Sequence, residues 1–123
     1  MKRYVAERGS DAVRSAMQAA SGWFMCRVGF VETARAVGLV AGESVVRRFT
    51  QEWPSFGVVE VDQDLAERAA SLAFAGALRS LDALHLASAL LLPRAELCVA
   101  TWDQGLSNAA HDQGLRVLPE RLD

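Results

Sequence analysis

Residues 79–92, which read RSLDALHLASALLL, form the stretch that decides the fold. Leu and Ala dominate it, and both residue types favour helices. Apolar residues occupy every face of the predicted helix, and a helix of that kind is normally buried. Asp82 nevertheless falls in its first turn. Because a buried carboxylate without partners is unstable, we expect Asp82 to be paired, hydrogen-bonded, protonated or bound to a metal ion.

Helices and strands alternate along the chain on both sides of this helix. Apolar periodicity and turn residues predict further helices at about 11–20, 29–40, 43–53, 65–75 and 104–112, and strands at 23–26, 57–62, 97–101 and 115–118. Such alternation favours an α/β fold with a parallel sheet. No repeat, low-complexity segment or linker interrupts residues 1–123, so we expect a single domain.

Local signals predict where several of these helices begin and end. Asp62 or Asp64 is expected to cap the helix at 65–75, and Ser80 is expected to cap the helix at 79–92. Gly76 and Gly114 are the expected stops of the helices that precede them.

The charge balance and the apolar runs limit the possible partners. The 123 residues carry a formal net charge of −2, which argues against strong non-specific binding to nucleic acid. Arginines at 47, 48 and 79 are candidates for phosphate contacts, although a solvated face is the more ordinary role for such residues. No apolar run approaches the length of a membrane span, and the N-terminus lacks the apolar core of a secretory signal. We therefore expect a cytoplasmic protein with no membrane partner.

Two cysteines, Cys26 and Cys98, each lie inside an apolar run. Their spacing fits no zinc motif. We expect two buried free thiols, as is usual in a reducing compartment.

Three carboxylates, Glu32, Asp82 and Asp103, lie in or next to apolar segments, where a charged side chain is unfavourable. Glu32 is among apolar residues of a predicted helix, and Asp103 follows a strand that we expect to be buried. In an open parallel sheet, ligands bind beyond the carboxyl ends of the strands, so the fold could bring these acids together. Converging carboxylates repel one another unless a cation neutralises them, and their hard oxygen atoms suit Mg²⁺ or Mn²⁺. Such a metal can activate water and stabilise the transition state of phosphoryl chemistry.

Each acid also has a purely structural interpretation. Asp82 could be favoured by the dipole at the start of its helix. Glu32 could pair with Arg35 one turn away. Asp103 could cap the helix that follows it, and capping is compatible with metal ligation because the two carboxylate oxygens can serve one role each. Thr101 could hydrogen-bond near this group or be an ordinary strand residue.

Three segments around these acids resemble one protein family. Residues 79–87, RSLDALHLA, closely resemble the helix that carries the third acid of PIN-domain proteins of the VapC toxin type. Residues 101–106, TWDQGL, are similar to the family's fourth-acid segment, and residues 30–36, FVETARA, to its second-acid helix. The order and spacing of the three segments match over nearly the whole chain.

The resemblance carries expectations about fold and function. It implies a PIN-like three-layer α/β sandwich around a central parallel sheet of four or five strands. It implies a Mg²⁺- or Mn²⁺-dependent endoribonuclease whose catalytic metal ligands are Glu32, Asp82 and Asp103. Such a protein is the toxin of a toxin–antitoxin pair, is inhibited by a cognate VapB-like antitoxin, and often forms a homodimer.

In the family, the first strand and the first Asp lie at the N-terminus of the domain. Residues 1–5 of this sequence, MKRYV, resemble the residues that directly follow them, so the strand and the Asp have no counterpart in this sequence. We therefore expect a PIN-like domain that is truncated at its N-terminus. Three interpretations remain open: a start at an internal Met of a longer chain, an inactive relic, or a strand supplied by a partner or a second copy. The alternative function is accordingly a catalytically incompetent PIN-like module that binds a partner protein. A third possibility is a phosphatase-like hydrolase that uses the same carboxylates.

Overall fold

A computed structural model describes residues 10–95 and 97–119 of the chain. The described residues form a helix-rich α/β structure with parallel strands, which confirms the predicted class. The chain divides into two compact units, Met1–Val59 and Glu60–Asp123. The expectation for residues 1–5 lies outside the described residues.

The first unit contains three helices and two strands. In chain order these are α1 (Ser10–Ala19), β1 (Trp23–Cys26), α2 (Arg27–Ala41), α3 (Glu43–Glu52), a 3₁₀ turn (Trp53–Ser55) and β2 (Phe56–Val59). Strands β1 and β2 pair in parallel, with Phe24 opposite Gly57. A Cβ atom at Gly57 would lie 2.5 Å from the Phe24 ring, so glycine lets this ring lie over the neighbouring strand.

An aromatic cluster fills the core of the first unit. Phe49 is fully buried, and its ring centroid lies 5.4 Å from that of Phe30 and 5.6 Å from that of Trp53. Phe56 extends the cluster from Trp53 to Trp23, at 5.5 Å in each case. These spacings are typical of stabilising aromatic pairs. Trp23 and Trp53 therefore pack within the first unit.

The second unit contains the helix that organises the sequence. Its elements are α4 (Gln63–Gly76), α5 (Ser80–Leu90), β3 (Cys98–Ala100), α6 (Gln104–Asp112) and β4 (Arg116–Leu118). Strands β3 and β4 pair in parallel, with Cys98 opposite Arg116 and Ala100 opposite Leu118. The Thr101 N–H continues this ladder by donating to the Leu118 carbonyl at 3.0 Å.

The core of the second unit forms where α5, α6 and β4 meet. Five buried residues make up this core, namely Leu86, Leu106, Ala110, Leu115 and Val117. Because α5 and α6 both contribute to it, apolar burial fixes the position of one helix against the other. Asp82 lies in the first turn of α5, and Asp103 immediately precedes α6.

Helix ends in the second unit follow local chemistry with two exceptions. Asp62 caps α4 by accepting a hydrogen bond from the Leu65 N–H at 2.8 Å, and Gly114, with φ of 77°, follows α6 as predicted. The left-handed residue after α4 is Ala77, with φ of 53°, and not Gly76, which remains helical. The prediction that Ser80 caps α5 is wrong, because the cap position belongs to Arg79.

Two predictions of burial are also wrong. Helix α5 buries Ala83, Leu86, Ala87 and Ser88, whereas Leu81 keeps 46% of its surface exposed. The cause is that α5 packs on α4 and α6 along only part of its circumference. Both cysteines are free thiols, but only Cys26 is buried and Cys98 is exposed. Cys98 and Ala100, which alternate with Val99 and so share one face of β3, are both exposed.

The environment of Cys98 changes its acidity. Partial desolvation raises the pKa of the Cys98 thiol, and the guanidinium of Arg116 on the neighbouring strand lowers it to a smaller extent. The thiol is therefore exposed and yet less acidic than an ordinary cysteine.

Among the helices of residues 10–95 and 97–119, none combines the length and the apolar character needed to cross a bilayer.

Candidate metal site in the second unit

Asp82 lies in the first turn of α5, and its partner is a guanidinium. The Asp82 side chain keeps 19% of its accessible surface, so the carboxylate is largely enclosed but can be reached from solvent. Arg79 Nε lies 3.3 Å from Asp82 Oδ2. The Arg79 carbonyl also accepts the first hydrogen bond of the helix, from the Ala83 N–H at 2.9 Å. The partner that the sequence required for Asp82 therefore comes from the residue at the start of the same helix.

Asp103 is held by a hydrogen bond at each carboxylate oxygen and by one at its backbone N–H. Its Oδ1 caps α6 by accepting from the Leu106 N–H at 2.9 Å. Its backbone N–H donates to Thr101 Oγ1 at 3.1 Å, and Thr101 is buried. Both the predicted cap and the predicted hydrogen bond of Thr101 are confirmed. The second oxygen, Oδ2, faces the Nη2 of Arg79 at 2.5 Å.

A single guanidinium thus joins two carboxylates from different helices. Arg79 and Asp103 are 24 residues apart in the sequence, and only the packing of α5 against α6 brings them together. The Arg79 side chain is itself 78% exposed. The two acids therefore converge on one position that already holds a positive charge.

This donor set suits a hard divalent cation. Carboxylate oxygens are the preferred ligands of Mg²⁺ and Mn²⁺, and two of them from separate elements define one side of such a site. Among the described residues of the second unit, no group of three His, Cys, Asp or Glu side chains could hold a metal ion. Asp82 and Asp103 therefore fit a metal as two of its ligands, and further ligands have to come from other groups or from water.

Glu32 lies in the first unit, on α2, and its side chain is exposed. The predicted role of Glu32 as a third ligand stays a prediction.

Two residues of the site carry roles that sequence reasoning missed. Arg79 was a candidate for phosphate contact, whereas the structure places its guanidinium on both acids. The sequence indicates the contact with Asp82 through spacing, because Arg79 lies three residues before Asp82 and residues at that spacing are neighbours on a helix. Gly105 lies beside the Asp103 carboxylate, since a Cβ atom there would be only 3.3 Å from Asp103 Oδ1. The TWDQGL segment thus includes the small residue that leaves room for the capping oxygen.

Comparisons with known proteins show which family the chain belongs to. The family profile described as "PIN domain" matches residues 4–111. Two curated relatives from Mycobacterium tuberculosis are each 33% identical over 132 aligned residues, which cover 100% of this chain and 92% of the relative. They are "Ribonuclease VapC45" of strain CDC 1551 / Oshkosh and "Ribonuclease VapC49" of strain ATCC 25618 / H37Rv. No solved structure gives a significant match. The chain therefore belongs to the PIN-domain family and, within it, to the VapC type.

Proposed function

We propose that this protein is a metal-dependent endoribonuclease and the toxin component of a VapBC-type toxin–antitoxin pair. The observation that carries the proposal is the convergence of Asp82 and Asp103 on one cation position. The names of the two mycobacterial relatives, both ribonucleases, support the choice of RNA as substrate. Glu32 is proposed as the third acid of the catalytic group.

The residues of the second unit would do most of the positioning. When bound, a Mg²⁺ or Mn²⁺ ion would polarise the scissile phosphate and make a water molecule more acidic. Asp82 and Asp103 would hold the ion through their carboxylates. The Thr101 hydroxyl, which accepts from the Asp103 backbone N–H, and the Leu106 N–H, which donates to Asp103 Oδ1, would keep Asp103 in place at the site. An exposed guanidinium beside the acids could also meet a phosphate oxygen of RNA.

The proposal also covers the sheet architecture and the binding partners. We propose that the parallel strands are part of the central sheet of a three-layer sandwich. A VapB-like antitoxin would inhibit the protein, which would act as a homodimer in the cytoplasm. Residues 1–123 would belong to a single PIN-like domain.

The test is RNA cleavage with Mg²⁺ or Mn²⁺ by the wild-type chain and by Asp82→Asn. Asp64→Asn is the matched control, since Asp64 is an exposed acid that pairs with Arg68 on α4, away from Asp103. We expect Asp82→Asn to lose most of the activity and Asp64→Asn to keep it. Equal rates for the wild type and Asp82→Asn would refute the role of Asp82.

A second candidate is a PIN-like module that binds a partner protein without cleaving RNA. The observation that favours it is that Arg79 already neutralises the two acids of the second unit. Metal titration followed calorimetrically separates the two functions. A chain that binds a cognate antitoxin but neither Mn²⁺ nor Mg²⁺ would be the non-catalytic module.

A further inference from the structure

We propose that Arg79 is a built-in competitor of the metal, so that its guanidinium must leave Asp82 and Asp103 before a divalent cation binds there. This inference rests on the proposed function, because it assumes a metal at these acids. It adds a positioning residue whose side chain sets the metal affinity of the site.

The contacts of Arg79 are made with the atoms that the metal would need. Its Nε lies 3.3 Å from Asp82 Oδ2, and its Nη2 contacts Asp103 Oδ2. The other oxygen of Asp103 accepts the capping hydrogen bond from the Leu106 N–H, so Oδ2 is the oxygen that the helix does not use. A divalent cation held by the two carboxylates would therefore compete with the guanidinium for the same pair of negative charges.

The side chain that can move is that of Arg79. Asp103 is fixed by bonds at its backbone and at Oδ1, and Asp82 is mostly enclosed, with 19% of its side-chain surface accessible. Arg79 is 78% exposed, so its guanidinium can turn into water with little loss of packing. Metal binding would thus displace the arginine and leave both carboxylates in place.

The metal binds only the molecules in which Arg79 is away from the acids. The apparent metal affinity is therefore the intrinsic affinity multiplied by the fraction of such molecules. Ion pairs of exposed arginines are weak, so the expected effect is moderate. Removing the guanidinium should tighten Mn²⁺ binding by about three- to tenfold.

The experiment is a calorimetric titration of the wild-type chain and three variants with Mn²⁺ at low ionic strength. Arg79→Gln removes the competitor. Arg79→Lys keeps the charge but lacks the planar fork that reaches both carboxylates. Arg68→Gln is the control for charge alone, because Arg68 pairs with Asp64 on α4 in an exposed i,i+4 contact. Circular dichroism of each variant verifies that it is folded.

We expect Arg79→Gln to bind Mn²⁺ about three- to tenfold more tightly than the wild type, with Arg79→Lys also gaining and Arg68→Gln unchanged. Equal or weaker binding by Arg79→Gln overturns the inference. So does wild-type affinity in Arg79→Lys, or an equal gain in Arg68→Gln, since net charge would then explain the result. If none of the four proteins binds Mn²⁺, the metal site of the proposed function fails, and the inference fails with it.

Discussion

Asp103 accepts a hydrogen bond from the Leu106 N–H through Oδ1 at 2.9 Å, while its Oδ2 contacts the Nη2 of Arg79. Helix capping and the proposed metal binding would therefore use different atoms of one side chain. An Asn at this position keeps an oxygen that caps helices as well as Asp does, but it loses the charge. The two roles can be separated by two substitutions.

We expect Asp103→Ala to lower the free energy of unfolding by about 1 kcal/mol more than Asp103→Asn does, because only alanine removes the cap. Both variants should lose Mn²⁺ affinity, because both remove the carboxylate. Urea unfolding and calorimetric titration measure the two effects. Equal losses of stability would show that the Oδ1 bond contributes nothing to α6.

Leu86 should be the position of α5 most sensitive to truncation. It is 2% exposed at the centre of the core of the second unit, whereas Leu81 on the same helix is 46% exposed. We expect Leu86→Ala to cost about 2–5 kcal/mol, since it removes buried methyl groups and leaves a cavity. Leu81→Ala should cost less than about 1 kcal/mol. Chemical denaturation of both variants tests this, and similar midpoints would contradict the assigned core.

Alanine is unfavourable in the backbone conformation that Ala77 adopts. Its φ of 53° is left-handed, and the Leu78 N–H next to it closes α4 by donating to the Ala73 carbonyl at 3.1 Å. Glycine adopts this conformation without steric strain, so Ala77→Gly should stabilise the protein by about 0.5–1 kcal/mol. Ala70→Gly, at an exposed position inside the same helix, is the control and should destabilise by about 1 kcal/mol. A thermal melt that ranks the two variants in the opposite order would rule out the left-handed cap.

Cys98 should react slowly for an exposed thiol. Desolvation raises its pKa and Arg116 only partly opposes this, so the reactive thiolate forms at higher pH than in a free cysteine. We expect its rate of alkylation by iodoacetamide, followed by mass spectrometry, to reach half its maximum at a pH above that of a small model thiol. Arg116→Gln should shift the profile further upward, because it removes the charge that stabilises the thiolate. A profile that moves to lower pH in this variant would contradict the assigned effect of Arg116.

The sequence by itself determined the local elements of this protein. The bounds predicted for α6 agree with the structure, because a capping Asp103 at one end and Gly114 at the other act within a few residues of the chain. The alternation of helices and strands, the family, and the candidacy of Asp82 and Asp103 also follow from patterns in the chain. These signals are short-range, or they are motifs of defined order and spacing.

Tertiary structure alone decided which groups meet. The contact of Arg79 with Asp103 spans 24 residues and exists only because Leu86 and Leu106 bury their side chains in one core. The exposure of Cys98 likewise depends on whether another element covers the face of β3, which an apolar run in the sequence does not specify. Apolar burial is non-directional, so the sequence pattern predicts that these helices pack, and only their packed arrangement shows that an arginine holds the position between the two acids.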